Sequence, residues 1–243
     1  IVKAKMSFSD DLNYYIVLEY CPGKSIREYL RKSEHNSLTE PETRKILRDV
    51  IKGLVYLHNN NVIHHDIKIE NFIIGENGLV KIADFGLSTI LNDQKKISLC
   101  GTINYIAPEV LKKEGNGFEV DIWAIGVAAF IMLTGQAPFG NTKDIIYKNI
   151  LCCNYTFPTK IQLSQEAKSF IKSILKLNPS ERPTAVDLSN HPFLTKMDKE
   201  LIEFYRPIQR VQSSAMLSTY QKVQPLKQIQ SYNTSQSSSD SST

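Results

Sequence analysis

His64-His65-Asp66-Ile67-Lys68-Ile69-Glu70-Asn71, followed after a short gap by Asp84-Phe85-Gly86, decides how this chain reads. The stretch sets carboxylates, a lysine and an asparagine on short loops between apolar runs. One loop separates Asp66 from Asn71. Asp84 comes after a predicted hairpin, which can fold its end back beside that loop. Carboxylate and carboxamide oxygens are hard ligands and suit Mg²⁺ rather than a soft metal. So small a protein set leaves the metal short of ligands, and nucleotide phosphates supply the rest naturally. The pattern points to chemistry that holds a divalent metal and a polyphosphate beside a hydroxyl that must lose a proton.

The flanking sequence reads outward from there. Upstream, Tyr14-Tyr15-Ile16-Val17-Leu18-Glu19-Tyr20 is a β-branched and aromatic strand, stopped by Pro22-Gly23. Ser25 with Glu28, and Thr39 with Glu42 and Pro41, carry the signature of capped helix starts. In the second helix Ile46, Val50 and Leu54 form one stripe, with Leu47, Ile51 and Leu57 beside it. Val62-Ile63 is a short apolar element. Phe72-Ile73-Ile74 and Leu79-Val80-Lys81-Ile82 are predicted strands, with Asn77-Gly78 supplying the positive φ angles of a tight turn. Residues 87–107 show no sustained period and read as a long loop, a feature that is usually functional.

Helices dominate downstream. Residues 121–133 are apolar nearly all round, so that helix belongs in the core. Helices are predicted over 143–151, 164–175 and 184–188, with Asn178-Pro179 ending the second and Thr184 with Asp187 capping the third. After Leu194 Gln, Ser and Thr become frequent and periodicity fades. Residues 196–243 are therefore expected to be a largely disordered tail, with a short helix conceivable over 198–204.

Composition bounds the function. In 243 residues, 42% hydrophobic and 22% charged content describe an ordinary soluble chain long enough to bury a core. A net charge of +4 without a dense Lys/Arg block argues against a nucleic-acid partner. The uncharged stretch 122–139 contains Gly126, Gly135, Gln136 and Pro138, and reads as a buried helix rather than a membrane span. Cys21, Cys100, Cys152 and Cys153 lack metal-ligand spacing and are expected to be reduced thiols of an intracellular protein, cytoplasmic and/or nuclear. No secretory leader opens the chain, and it starts without Met, as a fragment does.

The ordered set His64-His65-Asp66, Lys68 and Asn71, then Asp84-Phe85-Gly86, then Ala107-Pro108-Glu109, resembles the catalytic loop, metal loop and activation-segment end of a protein kinase. Asp121-Ile122-Trp123-Ala124-Ile125-Gly126 and Arg182 fall in the expected places. The resemblance covers about residues 1–194, and residues 1–195 are taken as the domain. Lys68, two positions after Asp66, is similar to the serine/threonine group. Lys95-Lys96, Leu99-Cys100-Gly101-Thr102 and Asn104-Tyr105-Ile106-Ala107-Pro108-Glu109-Val110 resemble the activation segment of polo-like kinases, with calcium/calmodulin-type and other serine/threonine kinases the fallback. The likeness is to the catalytic domain only, since no polo-box domain follows.

The resemblance implies a mixed α+β, protein-kinase-like fold: mainly the helical C-lobe, with the hinge and last N-lobe strands. It implies transfer of the ATP γ-phosphate, with Mg²⁺, to Ser/Thr hydroxyls of protein substrates. Asp66 would orient the hydroxyl and accept its proton. Lys68 would neutralise the transferring group, and Asn71 and Asp84 would hold Mg²⁺. Leu18 would be the gatekeeper, Glu19 and Cys21 would present backbone groups to adenine, and Ile73 would lie under the ring. Ser98 matches the activation phosphosite, a target for an upstream activating kinase, and Thr102 the threonine near the substrate pocket. Glu109 and Arg182 read as a structural ion pair, Asp121 as a brace of the catalytic-loop backbone, and His64, His58, His35 and His191 as packed or bland residues. Glu70 reads equally as a reader of basic substrate residues and as a solvated loop carboxylate.

Two departures qualify this. The glycine-rich loop, strand lysine and helix glutamate of kinases do not occur in the chain, so weak or absent activity by itself is expected, and a catalytically silent binding scaffold is the alternative. His65 replaces the arginine that grips the activation-segment phosphate. Arginine is always charged and forks onto phosphate, whereas histidine, with an ordinary pKa of ~6.5, is only partly charged at neutral pH.

Overall fold

A computed structural model describes residues 1–91, 102–115 and 117–196. The tail from residue 197, its expected helix over 198–204, and Ser98 lie outside the described residues. Two compact units emerge among the described residues: Lys3–Glu19 in one, and Ile1–Val2 with those from 20 to 196 in the other.

The smaller unit is an antiparallel hairpin of β1 (Ala4–Ser9) and β2 (Tyr14–Leu18). Asp10 closes its turn by accepting the amides of Leu12 and Asn13 and the hydroxyl of Tyr15. Phe8 stacks on Tyr15 across the strands at 4.9 Å. Strand pairing ends at Leu18, and Glu19 continues the contact by donating its amide to the Lys3 carbonyl and accepting the Lys3 amide at Oε1.

The larger unit is mainly helical, in keeping with an α+β chain. Helix α1 (Ile26–Leu30) starts at Ser25, which accepts the Glu28 amide. Helix α2 (Glu40–Asn59) starts with the reciprocal Thr39–Glu42 box. Its predicted stripe is buried throughout, from Ile46 to Leu57. Beyond it come β3 (Val62–Ile63), β4 (Phe72–Ile74), β5 (Val80–Ile82) and β6 (Thr89–Ile90), pairing antiparallel as β4 with β5 and β3 with β6. Helices α3 (Pro108–Leu111), α4 (Glu119–Thr134), α5 (Lys143–Leu151), α6 (Gln165–Ile174), α7 (Ala185–Ser189) and α8 (Pro192–Thr195) complete it. Every residue of α4 from Val120 to Thr134 is buried, and α2 and α6 pack against it. Fully burying a side chain such as Ile125 or Met132 stabilises the unit by about 1.5–3 kcal/mol. No helix among the described residues is long and apolar enough to cross a membrane.

Four details of the structure differ from the sequence reading. The β4–β5 connection takes positive φ at Gly78 but not at Asn77. It is a turn closed by Gly78 N–H to the Gly75 carbonyl at 3.0 Å, followed by the left-handed glycine, rather than a two-residue turn. The long loop yields a strand, β6, which exists only through its pairing with β3. Helix α6 stops at Ile174, and Asn178 caps a separate 3-10 turn over Pro179–Glu181. The chain past His191 forms α8, held by Arg44 Nε on the Phe193 carbonyl and Arg48 Nε on the Leu194 carbonyl, both 2.6 Å.

Candidate active site

The loop between β3 and β4 carries the central residues, and Asp121 at the start of α4 fixes its path. Asp121 is buried, and its carboxylate accepts the amides of His64 and His65, each at 2.9 Å. His58, from the last turn of α2, binds the same carboxylate at 3.0 Å. Holding both successive amides goes with a left-handed His65, φ 65°. Such backbone costs of order 1 kcal/mol or more and persists only when its surroundings over-determine it.

Two apolar anchors then fix the spacing. Ile67 and Ile69 are sunk in the core, leaving Asp66 and Lys68 on the opposite side of the alternation. Lys68 Nζ donates to Asp66 Oδ2 at 2.6 Å and to Thr102 Oγ1 at 3.2 Å. Asn71 Nδ2 donates to the Asp66 carbonyl at 2.8 Å and to Asp66 Oδ2 at 3.1 Å. Both donors thus converge on one carboxylate oxygen. Asp66 is itself buried, where a charge must be paired to persist.

His64 lies entirely inside. Its Nε2 meets the Ala83 carbonyl at 3.1 Å, and its Nδ1 accepts the Asp66 amide at 3.2 Å. Only the neutral ring with its proton on Nε2 satisfies both. Burial lowers its pKa, against the opposing pull of Asp121 and the Ala83 carbonyl. Ala83 also donates its amide to the Asn71 carbonyl at 2.9 Å, extending the β4–β5 ladder by one pair. That bond brings Asp84, the next residue, beside Asn71. Asp84 is exposed and left-handed, φ 63°, and accepts the Gly86 amide at Oδ1.

His65 is less exposed than a loop histidine reads from sequence. Its Nε2 contacts Thr89 Oγ1 on β6 at 2.8 Å, and burial lowers its pKa. The Glu109–Arg182 pair is bidentate, at 2.6 and 2.7 Å, and buried. Glu70 lies 3.7 Å from Arg27 of α1. Ile73 sits on β4, where Gly23 N–H binds the Ile74 carbonyl and lays the segment after Cys21 alongside that strand. Leu18, half exposed, and Glu19 belong to the hairpin unit.

The Asn71 carboxamide oxygen and the Asp84 carboxylate fit a Mg²⁺ site that draws most of its ligands from phosphate and water. Among the described residues no group of three or more His, Cys, Asp or Glu side chains is disposed to hold a metal alone.

The protein kinase domain family matches residues 1–194. The chain belongs to the protein kinase family. Among curated relatives, this kinase-family chain is 44% identical over 195 residues to the serine/threonine-protein kinase plk-1 of Caenorhabditis elegans, covering 79% of the chain and 30% of that protein. It is 41% identical to a probable cell cycle serine/threonine-protein kinase, a CDC5 homolog, of Encephalitozoon cuniculi, covering 85% and 44%. It is 42% identical to the cell cycle kinase CDC5/MSD2 of Saccharomyces cerevisiae, covering 76% and 26%. The chain thus spans less than half the length of these relatives. The polo-like resemblance holds, and the family it belongs to generally works with ATP and Mg²⁺.

Two contacts of this kinase domain were not legible beforehand. His58 reads as bland yet holds Asp121, and Thr89 reads as loop yet meets His65. Neither partner is within reach in sequence, and only the closed β3–β6 pair and the α2–α4 packing bring them together.

Proposed function

We propose that residues 1–195 are the catalytic domain of a polo-like serine/threonine protein kinase, transferring the ATP γ-phosphate to Ser/Thr hydroxyls of protein substrates, with 196–243 a tail. The convergence of Lys68 and Asn71 on Asp66 Oδ2, with Asp84 placed beside Asn71, carries this reading. Asp66 orients the substrate hydroxyl and accepts its proton through the oxygen that Lys68 and Asn71 leave uncommitted. Lys68 offsets charge on the transferring group, and its contact with Thr102 ties that role to the substrate-side segment. Asn71 and Asp84 hold Mg²⁺, which when bound neutralises phosphate charge. Leu18, Glu19, Cys21 and Ile73 serve the adenine ring.

The chain contains no glycine-rich loop or lysine-bearing strand of the family type, so we infer weak transfer by these 243 residues alone. Among the described residues Cys152 and Cys153 stand outside any disulfide, which favours an intracellular setting, cytoplasmic and/or nuclear. Ser98, as the target of an upstream kinase, and His65 form the regulatory part.

Melting of the chain with ATP, with and without Mg²⁺, tests the site. A Mg²⁺-dependent upward shift is expected, lost in Asp84→Asn and kept in Asp66→Asn. In a form with measurable transfer, Asp66→Asn lowers kcat about 10²–10⁴-fold. Absence of any nucleotide shift, together with no transfer, would instead establish a binding scaffold.

A further inference from the structure

Helix α6 buries Ala167, Phe170, Ile171 and Ile174 and turns another stripe outward. That stripe holds Lys168, Ser169, Lys172 and Ser173, and Lys176 continues it past the helix end. It forms one wall of an open groove of about 590 Å³, and the turn at Glu181–Pro183 forms the other. Lys168 is half-buried and Lys172 and Lys176 are exposed. Among the described residues no carboxylate pairs with these three lysines, whereas Glu166, the helix's own acid, is drawn off to Lys196 at 3.9 Å. Glu181 is the one carboxylate of the lining among the described residues, and it is engaged by Asn178. Arg182 is spent on Glu109 and on main-chain oxygens. Its Nε bond to the Lys176 carbonyl, 3.0 Å, ties the second wall to the first and sets the groove in advance.

We propose that this groove anchors an acidic peptide segment in extended conformation, on a face separate from the candidate active site. Lysines four apart on a helix rise by about 6 Å. Alternate side chains of an extended strand repeat at about 6.6 Å. Anionic groups at every second position of a strand laid along α6 therefore meet Lys168 and Lys172 in turn, and Lys176, past the helix end at Ile174, extends the same basic wall. The Ser169 hydroxyl between them can donate to the strand's backbone, while the Ser173 hydroxyl, which donates to the Phe170 carbonyl at 2.8 Å, can only accept. Chemistry favours a peptide over nucleic acid: the lining has no aromatic ring for a base to stack on. Glu181 would also oppose a uniformly anionic backbone, whereas a peptide can set a neutral or basic residue there. Carboxylate and phosphoserine side chains share the required charge.

The test uses the full chain and binding alone, so it is independent of phosphotransfer. Fluorescent peptides alternating Glu with Ser, phosphoserine with Gly, and Gln with Ser are titrated by anisotropy. The first two are expected to bind, more weakly as salt rises, and the third is not. Binding by only one of the anionic peptides identifies which anion the groove takes. The triple variant Lys168→Gln, Lys172→Gln, Lys176→Gln should weaken binding about tenfold or more. The same three positions changed to Arg should retain it. The control triple Lys52→Gln, Lys148→Gln, Lys160→Gln should change it less than about twofold. Of these lysines only Lys168 is half-buried and the rest are exposed, and far-UV circular dichroism verifies that the helices persist. No binding of either anionic peptide, equal loss in the control triple, or equal binding of a single-stranded DNA of the same charge overturns the proposal.

Discussion

His64 couples proton uptake to the geometry of Asp66. Its Nδ1 accepts the Asp66 amide, so a proton there removes the acceptor and sets a cation against the donor. Burial has lowered the pKa of His64, and those of His65 and His191 also lie below the ordinary value for the same reason. The unfolded chain therefore binds more protons than the folded one below pH ~6.5. Their contribution to stability is full above that value and is lost as pH falls through the folded pKa. The melting temperature should fall between pH 7.5 and 5.5, and fall less in His64→Asn. A wild-type melting temperature level across that range would contradict this. His65 leads to a second prediction. With its ring nitrogen on Thr89 and its pKa lowered, it is largely neutral at pH 7 and makes a poor phosphate clamp. In an active, longer form of the protein, Ser98→Ala should cost less than about tenfold in kcat, and His65→Arg should steepen the dependence on Ser98 phosphorylation. Tight on/off control by Ser98 with His65 in place would defeat the idea. Asp66, Lys68, Asn71 and Asp84 could be picked out as a set by type and order, and the fold brings them together. The bonds that make His64 and His65 electrostatically quiet were not, since burial and a partner 24 residues away decide them.

Helix starts were readable at Ser25, Thr39 and Thr184, although the predicted box at Ser25 is half formed: Ser25 accepts the Glu28 amide while the Glu28 carboxylate turns to Lys24. Thr39 with Glu42 and Thr184 with Asp187 form complete capping boxes, as the sequence predicts. Each box needs only residues three apart, and no distant part of the fold can outvote it. The apolar run of α4 likewise foretold burial on every side. Boundaries set by distant partners were not readable. Helix α6 ends at Ile174, within a residue of the predicted 175 but short of the Asn178-Pro179 stop, and the chain after it turns to bring Arg182 onto the Lys176 carbonyl and onto Glu109, 73 residues away. The α4–α6 contact also explains a glycine that the sequence leaves unexplained. A Cβ on Gly126 would stand 2.5 Å from Ile174 Cγ2 and 2.9 Å from Leu175 Cδ2. Helix propensity alone favours alanine over glycine by up to about 1 kcal/mol, whereas overpacking a core contact costs about 1–3 kcal/mol. The clash should win. Gly126→Ala is expected to destabilise the unit by about 1 kcal/mol in urea unfolding, and Gly126→Val by more. A stabilised Gly126→Ala would mean that α6 gives way without cost.

Across the molecule, buried apolar surface is shared out very unequally between the two units. Trp123, Ile125, Val127, Ala128 and Met132 are shut away from solvent in the larger unit. In the hairpin unit, all of β1 is exposed, and Met6, Phe8 and Val17 lie on one face at 60%, 53% and 38% exposure. That face was legible only in part: the alternation of β1 and β2 marks two strands, but alternation says which side is apolar and not whether anything covers it. An uncovered pair of strands is marginally stable at best in water, and local opening is cheapest where few apolar contacts are lost. Stability should therefore be graded by unit. In native-state hydrogen exchange, the amides of Val127, Ala128 and Met132 should exchange only through global unfolding, with a denaturant dependence equal to that of the whole unit. Those of Phe8 and Tyr15, a pair bonded to each other in the hairpin, should exchange by local opening, with little denaturant dependence and protection lower by about 10³-fold or more, since full protection of a domain is worth roughly 5–15 kcal/mol and a fraying hairpin little. Equal protection in both units would mean that the face bearing Met6, Phe8 and Val17 is covered in solution, and single Met6→Glu and Phe8→Glu changes would then lower the melting temperature instead of leaving it in place.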